Sequence, residues 1–394
     1  MDCQRWSRFA LASVFVAAFC ARANAQHEHM QMPMGSDWTF MQDGIVFAEF
    51  NRQGGPRGGD EFVAPNWWMG MAGRDTDRGR FTFTGMFSLD AATVGRRGYR
   101  EIFQAGEAFD GRPLVDRQHP HDFFMQLAAA WRIPVNDSTG ITLTGAPVGE
   151  PALGPGPFMH RASAMDNPTA PLSHHTFDST HVAFGVVTAA LDRGPWTVEG
   201  SVFNGHEPDD QRWDFDFGRL DSVSGRVWFK PNDRWAFQVS SARLRSPEQL
   251  EPGRDIVRST ASGSWTRPSG DTTASVTAGF GVNSTGDGAR GAFFLEGARR
   301  AGKTTLYGRL ETVQAETALL ESGSLPEGGA AAAHDAVAAL TIGGVRDLLA
   351  GRGLTGGIGA DVTIYRVPSA LESAYSRDPT SFHVFFRVRF SPQD

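Results

Sequence analysis

Histidines are concentrated in one part of the chain. Seven of the 11 histidines fall between residues 119 and 206. Several of them lie near carboxylates such as Asp122, Asp166 and Asp178 in the sequence, and imidazoles with carboxylates can bind a divalent transition metal ion. We therefore predict a metal site with the ligands His119, His121, His160, His174 and His175. The alternative is that these side chains are hydrogen-bonded and organise loops.

A second candidate site lies in the N-terminal segment 26–40. Residues 26–35 read Gln-His-Glu-His-Met-Gln-Met-Pro-Met-Gly, with two imidazoles followed by three thioethers at alternate positions. Thioethers suit Cu(I) and imidazoles suit Cu(II). The predicted ligands are His27, His29, Met30, Met32 and Met34. The alternative is a flexible tail that binds no ligand.

This decapeptide resembles the Met/His-rich leader of copper-resistance outer-membrane barrels, including the copper-resistance protein B family. The resemblance implies a copper ion as ligand and a role in metal resistance. No other cofactor is predicted.

Catalytic patterns are weak in this sequence. It has no Gly-x-Ser-x-Gly motif, which would mark a hydrolase nucleophile. Ser173-His174-His175 and Ser179-Thr180-His181 supply two triad residue types, but neighbours in the sequence do not make a triad. We predict that the protein is not an enzyme.

The N-terminus indicates export. Arg5 and Arg8 precede an apolar stretch, and Ala23-Asn24-Ala25 fits a cleavage site, so residues 1–25 read as a signal peptide. Both cysteines of the chain lie within it, which excludes disulfides and thiolate metal sites from the mature protein. The whole chain carries a formal charge of −7, and removal of a basic signal makes the mature chain more acidic. A nucleic-acid partner is therefore not expected.

The candidate ligands must be positioned by β-structure, because residues alternate in polarity along most of the mature chain. We predict strands at 41–50, 65–74, 80–90, 121–132, 139–146, 177–191, 195–204, 220–230, 234–244, 255–267, 272–283, 289–299, 303–313, 335–346, 354–366 and 381–390. The links between them alternate between tight turns and long segments. This rhythm predicts an all-β transmembrane antiparallel barrel of about 16 strands over residues 41–394, with short periplasmic turns and long extracellular loops. A secreted β-sandwich or propeller is the alternative.

The predicted strands also separate lipid-facing from lumen-facing side chains. In the last strand Phe382, Val384 and Phe386 share one face, while Arg387 and Arg389 lie on the other. A cationic side chain facing lipid near the membrane centre costs about 2–4 kcal/mol, so the arginines must face the lumen. The pore-lining residues predicted in this way are Arg226, Lys230, Arg387 and Arg389.

The terminal strand 382–390, with an aromatic residue close to the C-terminus, resembles the assembly signal of outer-membrane barrels. The mature chain as a whole resembles a porin-type protein. The resemblance implies a bacterial outer-membrane location and, as partners, membrane lipid, the outer-membrane assembly machinery and further copies in a homotrimer. It also implies that small solutes or ions pass through the barrel.

In sixteen-stranded general porins a loop at the place of residues 147–176 folds inward and narrows the pore. By analogy we expect this loop to do the same, the alternative being a loop that rests on the rim. The predicted function is therefore a porin-like channel with this loop at the pore. A copper- or metal-binding envelope protein involved in metal resistance is the second hypothesis.

Overall fold

The computed structural model describes residues 37–270, 272–323, 334–351 and 353–390. In chain order the strands are β1 (Thr39–Gln53), β2 (Gly59–Val63), β3 (Asn66–Thr76), β4 (Gly79–Phe87), β5 (Tyr99–Phe109), β6 (Arg112–Gln118), β7 (Phe124–Asn136), β8 (Thr139–Gly149), β9 (Ala183–Arg193), β10 (Trp196–Phe203), β11 (Ser222–Asn232), β12 (Trp235–Leu244), β13 (Ile256–Ser269), β14 (Thr272–Thr285), β15 (Gly288–Ala301), β16 (Thr304–Glu316), β17 (His334–Gly351), β18 (Leu354–Arg366) and β19 (Thr380–Phe390).

In the part of the chain that the structure describes, four short helices lie in the links between strands. They are α1 (Asp90–Thr93), α2 (His174–Phe177), α3 (Thr317–Ser322) and α4 (Glu372–Tyr375). Single 3-10 turns are found at Phe158–His160, Ser179–His181 and Ser369–Leu371. Within the described residues, the helices are all too short or too polar to span a bilayer.

All strands except β2, β5 and β6 form one closed antiparallel barrel of 16 strands. The barrel closes because β1 pairs with β3 through residues 39–46 and with β19 through residues 45–52. Closure leaves no unpaired edge to face lipid, which is the condition for a β-structure to cross a membrane. The predicted fold class and strand number are confirmed.

Connections at one end of the barrel are two-residue turns, whereas most at the other end are long. One exception occurs at the long-loop end, where only residues 286 and 287 join β14 to β15. The link between β4 and β7 contains a hairpin of its own, formed by β5 and β6, which the sequence analysis did not predict. The segment predicted as a strand over 177–191 begins as a strand only at Ala183, because α2 and a 3-10 turn occupy the residues before it.

The outer surface of the barrel is apolar. Phe280 is 58% exposed and Ile342 is 64% exposed. On the inner face of the same wall, Thr277 and Thr341 are buried. An apolar exterior around a polar interior is the pattern of a barrel surrounded by lipid.

Aromatic side chains gather next to the two-residue turns. Trp196 lies 4.4 Å from Phe229, and Trp235 lies 5.5 Å from Phe237, measured between ring centroids. Such rings favour the interface between membrane and water. They mark the end with the two-residue turns as one rim of the membrane-embedded band.

Residues 26–394 contain no cysteine, so single introduced cysteines can report which rim faces the periplasm. Asp233→Cys places a thiol in the exposed turn between β11 and β12, and Gln211→Cys places one in an exposed long loop. We expect a membrane-impermeant maleimide to label only the Gln211→Cys protein in intact cells and both proteins in lysed cells. Labelling of Asp233→Cys in intact cells would reverse the orientation.

Candidate metal centre and inward loop

The loop between β8 and β9, residues 150–182, lies inside the barrel. Near its start, the backbone nitrogens of Ala152 and Gly154 donate to the hydroxyl groups of Ser201 on β10 and Ser240 on β12, at 2.8 and 2.9 Å. Further along, the loop reaches β14, β16 and β19 through Ser163, Thr169 and Asp166. The loop therefore crosses the lumen, the inward position that the porin analogy predicted.

A buried ion pair fixes the loop to the barrel wall. Arg161 is 1% exposed, and its Nε donates to the carboxylate of Glu296 on β15 at 2.6 Å. The same guanidinium donates to Asp178, later in the loop, at 2.8 Å. Removing one partner of such a group leaves a buried charge without compensation, which is strongly destabilising. The loop is thus held at its centre by three mutually dependent residues.

Helix α2 packs directly on the wall. A Cβ atom at Gly281 of β14 would lie 3.0 Å from the Phe177 ring and 3.1 Å from Thr176. The missing side chain therefore leaves the space that α2 occupies. This contact sets the position of His174 and His175, which lie at the start of the same helix.

Five histidines meet where the inward loop touches the segment that follows β6. The His119 ring lies 5.6 Å from His175 and 6.2 Å from His174 between centroids. His181 lies 5.4 Å from His174 and 5.5 Å from His121. We call His119, His121, His174, His175 and His181 the histidine cluster.

In three rings of the cluster, the Nδ1 atom is hydrogen-bonded to an acceptor oxygen. The Nδ1 atoms of His121 and His174 lie 2.8 and 2.7 Å from the carboxylates of Asp90 and Asp178. The Nδ1 of His181 lies 2.6 Å from the Asp178 carbonyl oxygen. In all three rings Nε2 is buried and has no hydrogen-bond partner. An acceptor at Nδ1 keeps the proton there and leaves the Nε2 lone pair free, as in metal-ligating histidines.

Glu107 of β5 adds a carboxylate to the cluster. Its Oε1 lies 3.4 Å from His119 Nδ1, and one ligand atom each from Glu107, His119 and His175 fall within 4.8 Å of one another. The preceding Gly106 has a φ of +132°, and a Cβ there would lie 2.8 Å from the His175 ring. The hairpin thus approaches His175 closely only because residue 106 is glycine.

Burial favours the neutral form of His119, His174, His175 and His181. Desolvation lowers the pKa of His181 to about 3 and that of His119 well below its usual value. It also lowers the pKa of His174 and His175, partly opposed at His174 by Asp178. The neutral imidazole is the form that binds metal ions. The cluster can therefore offer imidazole ligands together with one carboxylate, a set that suits divalent transition metals.

The structure brings together four of the five histidines predicted as ligands in the barrel. His160 lies apart, with its ring 4.7 Å from Trp67. The sequence analysis missed Glu107, which comes from the unpredicted hairpin, and His181, whose segment was read as a strand. The leader ligands at positions 27–34 lie outside the described residues, as do residues 1–25.

Below the inward loop is a cavity of about 430 Å³, which we call the vestibule. It extends towards the rim with two-residue turns, where Lys230 lies beside the turn between β11 and β12. Arg226 also borders it and is paired with Glu199 at 2.7 Å and Glu150 at 3.0 Å. His160 and the cluster residue His181 line it on the loop side.

The other two predicted pore-lining residues also point inward but do not border the vestibule. Arg387 is 1% exposed and is enclosed by ion pairs with Asp166 and Asp347. Arg389 lies 3.6 Å from both Asp43 and Asp166. These arginines attach the loop to β19 at Asp166.

No family model matches the chain, and no curated protein matches it. Solved structures do. An anion-selective porin from Comamonas acidovorans superposes with a TM-score of 0.54 at 9% identity, over 90% of this chain and 100% of that one. OprB of Pseudomonas putida superposes with a TM-score of 0.53 at 9% identity, over 90% of this chain and 94% of that one. A loop-deletion mutant of OmpT, an outer membrane protein of Vibrio cholerae, superposes with a TM-score of 0.50 at 11% identity, over 90% of this chain and 99% of that one. The chain has the fold of these outer-membrane barrels.

We expect Asp178→Asn to loosen the loop, because the amide cannot neutralise Arg161. Breaking a buried pair costs about 3–5 kcal/mol, so the variant should lose its folded gel mobility at lower temperature or urea concentration. Asp255→Asn is the control, since Asp255 pairs with Arg243 and Arg245 at the exposed surface. Equal stability of the two variants would show that the Arg161 network does not hold the loop.

Proposed function

We propose that this protein is a porin-like channel of the bacterial outer membrane for ions and small solutes, with the inward loop as its constriction. The observation that carries the proposal is the vestibule. It is bordered by Arg226, Lys230 and Glu199 and extends from one rim to the underside of the loop. Charged walls facing a water-accessible path are what a conducting barrel needs.

The inward loop limits this path. It is fixed to β15 by Arg161 and to β19 by Asp166, so the lumen is much narrower than the sixteen strands alone would leave it. We therefore expect a small conductance in the resting protein. Contacts with membrane lipid and the assembly machinery, homotrimer formation and the absence of enzymatic activity stay predictions.

Conductance in planar bilayers tests the proposal. The wild-type protein should give small, defined steps, and Arg161→Ala should give larger steps because the loop loses its central attachment. Arg243→Ala is the matched control, since this arginine pairs with Asp255 at the exposed end of β12. A wild-type protein that never conducts, together with an Arg161→Ala variant that never conducts, would refute the channel.

A second function is favoured by the histidine cluster: binding of a divalent transition metal in the lumen, consistent with a metal-handling envelope protein. Three buried Nε2 atoms lack hydrogen-bond partners, and Glu107 lies beside His119 and His175. Leaving such groups without a ligand costs free energy, which a bound ion would recover.

Calorimetry with Zn²⁺ and Ni²⁺ tests this second function. The mature protein without residues 26–36 should bind about one ion in the barrel, and His119→Ala combined with His175→Ala should weaken binding about 10- to 100-fold. His206→Ala is the control, because this histidine is exposed and lies outside the cluster. No binding by the parent protein, or equal binding by the double variant, would contradict the metal site.

A further inference from the structure

Methionines form a continuous stripe on one inner wall of the barrel. Met69 on β3 is directly opposite Met86 on β4, and Met41 on β1 is directly opposite Met71 on β3. Directly opposed side chains have Cβ atoms about 4.5–5.5 Å apart. The register shift between β4 and β7 occurs beside Met86, where Met125 and Gln126 both reach the interior. Met69, Met71, Met86 and Met125 therefore lie side by side.

This stripe borders the vestibule. Met69, Met71, Met86 and Met125 all line it, as does Arg226 from β11. The interior of an outer-membrane barrel is normally polar, so a wall of thioethers at a water-accessible cavity is a departure from the rule. Packing alone does not need sulfur at these positions, because leucine has a similar volume.

The imidazole of His181 also lines the vestibule, and its Nε2 atom makes no hydrogen bond. His181 is 8% exposed, and the Asp178 carbonyl oxygen occupies its Nδ1. Its Nε2 is buried and has no hydrogen-bond partner, and the residue lines the vestibule together with the methionines. A neutral nitrogen donor and several thioethers therefore surround one space.

We propose that Met69, Met71, Met86 and Met125, with His181, bind a monovalent soft metal ion, Cu(I) or Ag(I), in the vestibule. Thioethers are soft, uncharged ligands that select Cu(I), whereas carboxylates and water suit harder ions. The histidine cluster above offers imidazole and carboxylate and so suits divalent ions. The methionine site does not require the channel to conduct, and it shares only His181 with the histidine cluster.

Ag(I) is the probe, because it mimics Cu(I) without changing oxidation state. The experiment uses the mature protein without residues 26–36, refolded in detergent, so that the leader contributes no ligand. We expect one Ag(I) to bind and to shift the methyl NMR signals of the vestibule methionines. Met69→Leu combined with Met86→Leu should weaken Ag(I) binding about 10- to 100-fold.

The matched control is Met165→Leu, which changes a half-buried methionine that does not line the vestibule and should leave Ag(I) affinity unchanged. The heat-dependent gel mobility shows that each variant is folded. No Ag(I) binding by the parent protein, or equal affinity in the folded double variant, would overturn the proposal. Zn²⁺ affinity and bilayer conductance are measured on the same proteins, so a failure of this site is distinguishable from a failure of the channel or of the histidine cluster.

Discussion

The buried guanidinium group of Arg161 holds the centre of the inward loop against the barrel wall. Arg161 is neutralised by Glu296 from the wall and Asp178 from the loop. Taking these charges out of water is costly, and only complete pairing offsets that cost. Since Asp178 also accepts from His174 and, through its carbonyl oxygen, orients His181, the same contact that holds the loop aims two imidazoles. The same contacts therefore fix both the position of the loop and the orientation of these two histidines.

The barrel wall can hold the loop in one position because the wall is rigid. Strands β14, β15 and β16 are each paired with a strand on both sides, so Thr277, Glu296 and Glu311 present fixed partners to the inward loop. Groups held by such a support need little rearrangement when a ligand binds.

The sequence predicted the wall far better than its contents. Side chains alternate between the two faces of a strand, and a one-residue slip would turn charged side chains towards lipid. Arg387 and Phe386 could therefore be assigned to opposite faces from the sequence alone. The loops lack any such rule. Glu107 reaches the histidines from β5 and Asp90 from α1, and the hairpin that carries Glu107 has an irregular register. Residues 177–191 alternate poorly in polarity for a strand, and this was the available signal that His181 could belong to the loop.

The methionine stripe shows a different limit. Met69 and Met71 are two residues apart in a predicted strand, so their shared face was readable. Trp67 lies on that face and Trp68 on the other, so the tryptophans did not show which face points inward. What could not be read was that Met86 and Met125 would join them, since this depends on the register of three strands and on one bulge. Local periodicity defines which side chains share a face, but only closure of the barrel defines which faces meet. A lumen site made of side chains from four elements therefore arises from the register, and a one-residue slip of β4 would turn Met86 towards lipid.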